Sequence, residues 1–151
     1  MENKMFCFQC EQTAGCSGCT GKAGVCGKPA AVANLQDQLT GALIGLARAT
    51  DGGKLAGDTT WKLMIEGLFT TITNVNFNEE TVGALIRKVH AEKERLAPMC
   101  SACGASCGRN EDYDLSLVWT AQEDIRSLKS LILFGIRGMA AYAYHAMVLG
   151  Y

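Results

Sequence analysis

Net charge is almost absent from this sequence: 14 Lys and Arg stand against 15 Asp and Glu, leaving −1 over 151 residues. Without a basic excess there is no electrostatic footprint for nucleic acid or for an anionic membrane surface, so neither is expected as a partner. The opening residues MENKMFCFQC contain no apolar run of signal-peptide length, which places the chain, as an expectation, in the cytoplasm. No segment sustains the apolar-polar alternation of a half-buried strand, and that excludes a sheet protein. Histidine is scarce: His90 and His145 lie far from the N-terminal cysteines, on segments with helical character, and read as ordinary helix residues. Carboxylates such as Glu11, Glu66, Glu123 and Asp124 come with no nucleophile or histidine at a telling spacing, so no catalytic acid or base is assigned.

Cysteine, by contrast, is abundant. Eight cysteines fall in two groups, Cys7, Cys10, Cys16, Cys19 and Cys26 first, then Cys100, Cys103 and Cys107. In a reducing compartment such density points to metal or redox chemistry before it points to a disulfide framework. By spacing alone Cys7, Cys10, Cys16 and Cys19 form C-x2-C-x5-C-x2-C, which invites a zinc site. Zinc ribbons and fingers usually separate their two knuckles by a dozen or more residues, and five leave no room for the intervening structure. An iron-sulfur cluster accepts thiolates from one irregular loop, because bridging sulfides fill the other iron positions. Gly15, Gly18, Gly21, Gly24 and Gly27 allow the tight curvature such a loop needs.

Between and after the cysteine groups the sequence is helical. Val32, Leu35, Leu39, Leu43 and Leu46 recur at three- and four-residue spacing behind Pro29, which suits a first helical turn. Gly41 and Gly45 weaken that helix by about 1 kcal/mol each relative to Ala, but admit a second backbone at close range. After DGGKLAGD a second helix is expected, capped by Asp58 or Thr59 and running through Leu63, Leu68 and Ile72. A third begins at Asn78, with acidic residues in its first turn, and ends by Pro98. The longest starts near Asp124, with Glu123 and Asp124 favouring its N-terminal dipole and open to pairing with Arg126 or Lys129. Its segment LILFGIRGMAAYAYHAMVLGY approaches bilayer-spanning length, but Arg137 and His145 interrupt it. It is therefore expected as a central bundle helix, apolar nearly all round. The fold class expected is all-α, a helical bundle (28–151) with an N-terminal cysteine-rich loop (1–27) that binds an iron-sulfur cluster, one domain overall.

The residues themselves resemble a known family. Phe6 to Ala14 spell F-C-x-Q-C-x-Q-x-A, Gly18 to Thr20 spell G-C-T, Gly24 to Lys28 spell G-x-C-G-K, and Asn34 to Asp37 spell N-L-Q-D. These elements are similar to the start of the hybrid cluster (prismane) proteins, known as hydroxylamine reductases. EGLFTTITNVNF and the segment from Gln122 to Tyr151 extend the resemblance over essentially the whole chain. The resemblance implies four cluster ligands, Cys7, Cys10, Cys19 and Cys26, with Cys16 the spare. The eight-residue gap from Glu11 to Gly18 implies a 4Fe-4S cluster, with 2Fe-2S as the alternative. Members of the family are several times longer, and their catalytic iron-sulfur-oxygen cluster is bound in later domains. The expectation is thus a fragment or truncation of a reductase that passes electrons to catalytic domains outside this chain and is not catalytic alone. A natural stand-alone relative is the other possibility. The parent would reduce hydroxylamine or nitric oxide, and its partners would be those domains, an electron donor or a second copy of the chain.

The second group, Cys100, Cys103 and Cys107, supplies three thiolates, one short of a closed tetrahedral site. It is read as a loop of uncommitted thiols, with Cys16 as a conceivable fourth ligand and air-formed disulfide as another fate. Two other readings of the whole chain stand beside the electron-transfer domain: a zinc-stabilised helical interaction domain, and a bundle whose thiols hold no metal.

Overall fold

The computed structural model describes residues 5–10, 18–97 and 111–151. Within them the regular elements are helices, α1 (Ala30–Ala49), α2 (Asp58–Thr70), α3 (Glu79–Leu96), the single turn α4 (Ser116–Trp119) and α5 (Glu123–Val148). The all-α expectation holds for these residues.

Helix α1 begins directly after Pro29, whose φ of −64° and ψ of 152° lead the chain in without spending a helical N–H. The apolar spacing read from the sequence becomes a buried face: Val32, Leu39, Leu43 and Leu46 are each at most 5% exposed. That face meets Val82, Leu85, Ile86, Val89 and Leu96 of α3, with Leu63 of α2 closing one side. Each such side chain stabilises the fold by about 1.5–3 kcal/mol relative to exposure. α3 is capped as expected, the Asn78 side chain accepting from the Thr81 N–H at 2.9 Å. α2 departs from expectation at both ends. Gly57, not Asp58 or Thr59, occupies its cap position, its N–H donating back to Thr60 Oγ1 at 3.2 Å, and the helix stops at Thr70, short of Ile72.

The glycine pair of α1 admits a non-helical segment rather than a helix. Tyr113 N–H donates to the Gly41 carbonyl at 3.1 Å, and a Cβ on Gly45 would stand 2.8 Å from the Glu111 carbonyl oxygen. This segment feeds α4, which no periodicity announced.

Helix α5 is not the central element that its composition suggested. It lies along α2 and α4, and only Ser130, Leu133, Arg137 and Ala140 are buried on it, a single seam at helical spacing. Leu128, Leu131, Ile132, Met139 and Tyr142 face outward, each at least 60% exposed. The centre is already filled by α1 against α3, so α5 has one neighbour face and leaves its other apolar sides uncovered. By length and composition α5 is also the one helix among the described residues that meets the measure of a bilayer span. At its middle Arg137 turns inward, donating from Nε to Thr71 Oγ1 at 3.0 Å and from Nη2 to Thr40 Oγ1 at 3.1 Å. Lys129 Nζ donates to the Tyr113 hydroxyl at 3.2 Å.

Candidate metal centre

Two of the four expected ligands are brought together by backbone pairing. Cys7 and Cys19 form an isolated antiparallel bridge, Cys7 N–H to Cys19 carbonyl at 3.0 Å and Cys19 N–H to Cys7 carbonyl at 2.8 Å. Gly18 makes this pairing sterically workable: its φ is +67°, and a Cβ there would sit 2.7 Å from the Phe6 ring and 3.2 Å from the Cys7 carbonyl oxygen. Met5, Ala30 and Ala33 bury the bridge against the first turn of α1. Farther along, Ala23 pairs with Pro29, and Gly27 at φ +84° closes a tight loop that leaves Cys26 exposed.

Cys10 and Cys26 are not gathered with that pair into one group. Among the described residues no three His, Cys, Asp or Glu side chains cluster as metal ligands, and no disulfide is formed. Cys16, Cys100, Cys103 and Cys107, along with Glu11, lie outside the described residues. His90 and His145 sit on α3 and α5, His90 Nε2 lying 2.8 Å from Asp112 Oδ2 and His145 edge-on to Phe69.

Sequence reasoning missed what surrounds Cys7. Lys28 is 1% exposed, and its ammonium donates to Gln36 Oε1 at 2.7 Å, to Gln9 Oε1 at 3.2 Å and toward Cys7 Sγ at 3.9 Å. Gln36 is held in turn by donating to the Asn76 carbonyl at 3.0 Å, and the Gln9 carbonyl accepts from Thr73 at 2.9 Å. A fully buried lysine is costly unless a compensating charge or hydrogen bonds satisfy it. The trace in the sequence is its place as the last residue of the G-x-C-G-K element, directly before the Pro29 cap of α1.

Two more titratable groups complete this interior. Burial pushes the Asp37 carboxyl up to about 7, although Arg137 and Lys28 pull it back down. Arg137 is 5% exposed, and burial draws its guanidinium below its ordinary value against the opposing pull of Asp37 and Cys7. Burial likewise raises the Cys7 thiol, with Lys28 working in the other direction. Nearby, Phe6 and Phe8 stack, their centroids 6.3 Å apart, and Trp119 of α4 tilts against both at 5.8 and 5.9 Å. A cavity of about 540 Å³ opens there, lined in part by Phe6, Asp37, Tyr113 and Trp119.

The sequence matches the Prismane/CO dehydrogenase family over residues 5–151. The chain belongs to that family. Among curated proteins it is similar to the hydroxylamine reductase of Porphyromonas gingivalis, 39% identical over 170 residues, covering 100% of this chain and 31% of that protein. The hydroxylamine reductase of Desulfitobacterium hafniense strain Y51 is 42% identical over 171 residues, and that of Methanocaldococcus jannaschii 41% over 165, each covering 97% of this chain and 30% of the relative. The chain thus spans about a third of the length of the curated relatives it matches. For a prismane family member the local chemistry suits an iron-sulfur group: the donors are thiols on a glycine-kinked loop, and the buried ammonium beside Cys7 is hydrogen-bonded to neutral amide oxygens, with the Asp37 carboxyl acting on it through space. A negatively charged thiolate centre is what such a cation would stabilise.

Proposed function

We propose that this chain is the iron-sulfur electron-transfer domain of a hydroxylamine reductase of the hybrid cluster type. Cys7, Cys10, Cys19 and Cys26 would hold a 4Fe-4S cluster, with 2Fe-2S as the alternative. When bound, the cluster supplies one-electron storage at low reorganisation cost. The observation that carries the reading is the Cys7–Cys19 backbone pair set beside fully buried Lys28. In this role the chain's own groups do three things. The bridge fixes the spacing of two ligands, Gly18 keeps Phe6 close over them, and the Phe6, Phe8 and Trp119 rings limit solvent access on one side.

The reduction of hydroxylamine or nitric oxide would belong to the remaining two-thirds of a full-length reductase. The partners proposed are those domains and an electron donor in the cytoplasm, with the outward stripe of α5 as the contact face; this chain alone is expected to show no appreciable turnover. Anaerobic counts of iron, sulfide and zinc, with electron paramagnetic resonance of the dithionite-reduced protein, test the reading. Stoichiometric iron and sulfide with a reduced-cluster signal supports it. Stoichiometric zinc without sulfide would replace it with the structural-zinc domain, and a folded protein holding neither would leave a metal-free bundle.

A further inference from the structure

One buried cation stands beside an expected ligand, and a second lies in the same interior. Lys28 stands 3.9 Å from Cys7 Sγ, and Arg137, reaching in from α5, lines one cavity with Gln9, the amide that accepts from Lys28. Both side chains are at most 5% exposed, and both are pinned by neutral groups, Gln9 and Gln36 on Lys28, Thr40 and Thr71 on Arg137. The carboxylate facing them is Asp37, on the N-terminal half of α1. Two fixed positive charges against a single acid leave an interior that favours added negative charge, in surroundings where water screens little.

We propose that Lys28 and Arg137 are positioning residues whose buried charges set the reduction potential of the cluster held on Cys7. This rests on the iron-sulfur reading above and adds to it a named electrostatic control. A cluster on four thiolates is anionic, and the one electron it accepts makes it more so without any bond being formed or broken. Cations fixed nearby, unable to reorient, stabilise the reduced form more than the oxidised one. The potential is therefore higher than the same four thiolates would give without them. The two residues come from opposite ends of the chain, so the arrangement also couples the potential to the docking of α5 on α1 and α2.

The test is an anaerobic redox titration with dithionite as electron source, read by electron paramagnetic resonance. Lys28→Met keeps the stem and removes the charge, Lys28→Arg keeps the charge, and Arg137→Met with Arg137→Lys forms the second pair. The expected result is a more negative midpoint for each Met variant and a midpoint near wild type for each charge-conserving one. Met variants that load iron and sulfide as wild type does but titrate at the wild-type potential would overturn the inference and leave the iron-sulfur reading intact. If Lys28→Met holds no cluster, the Arg137 pair decides by the same criterion. A wild-type chain that takes up no iron and sulfide overturns the iron-sulfur reading and this inference with it.

Discussion

The Tyr113 N–H donates to the Gly41 carbonyl across a gap so narrow that a Cβ on Gly41 would stand 2.3 Å from the Tyr113 carbonyl oxygen. Helix propensity alone would favour Ala at position 41 by about 1 kcal/mol. The obstructing atom is backbone and cannot swing aside, so overpacking of about 1–3 kcal/mol should win. Gly41→Ala is therefore expected to be net destabilising in urea denaturation, and Gly41→Ala with Gly45→Ala more so. A Gly41→Ala protein at least as stable as wild type would show that the segment from Glu111 to Tyr113 does not sit on α1.

The choice of four cysteines is open to direct trial. Cys16→Ser should retain the full iron and sulfide content after anaerobic reconstitution. Cys26→Ser should lose it, and Cys7→Ser should behave like Cys26→Ser because Cys7 is paired to Cys19 at the base of the loop. Loss in Cys16→Ser with retention in Cys26→Ser would mean that the spacing-based set, Cys7, Cys10, Cys16 and Cys19, is the correct one.

Asp37 gives the cluster-free chain a pH dependence of unusual sign. Its carboxyl rises from an ordinary 3.8 to about 7 through burial, so over that interval the unfolded chain ionises while the folded one holds its proton. Stability should fall as pH rises from about 4 to 7, by an amount on the order of 2 kcal/mol for this partly buried group. Asp37→Asn should flatten that slope and be more stable than wild type at pH 8. Denaturant midpoints at pH 5, 6, 7 and 8 measure it, and an unchanged slope in the variant would remove Asp37 as its source.

At the acid end a different pair of groups takes over. Hydrogen bonds from Arg95 are the main reason Glu92 lies below its ordinary range; at Asp112 burial pushes upward, but the hydrogen bonds and charges of Lys93 and His90 together bring it below its ordinary value. Their stabilisation is present above the ordinary carboxylate range and lost as pH falls below it. Glu92→Gln should lessen the loss of stability between pH 4 and pH 2. It should also cost stability at neutral pH, because Glu92 accepts from both Thr60 and Arg95.

The uncovered stripe on α5 should make the isolated chain associate. Leu131 and Met139 are 70% and 73% exposed. Replacing both with Glu should shift sedimentation velocity toward the monomer while leaving the denaturation midpoint within about 0.5 kcal/mol of wild type. A wild-type chain that is monomeric at high concentration would argue against self-association through this face.

Much of the framework is local and was therefore readable from the sequence. The start of α1 follows from the fixed φ of Pro29, that of α3 from the Asn78 side chain, and the close approach at Gly41 and Gly45 from two missing Cβ atoms. Of the loop glycines expected to allow tight curvature, Gly18 and Gly27 take positive φ. Tertiary structure alone decided which helix is central. Periodicity and composition report that a helix has apolar faces, not which neighbour covers them, and α1 against α3 occupies the place expected for α5. Tertiary structure also decided the charge around Cys7. Lys28 and Arg137 are 109 positions apart in the sequence, and no pattern within either segment can announce that folding buries both, one against the Cys7 thiol and the other against Thr40 and Thr71.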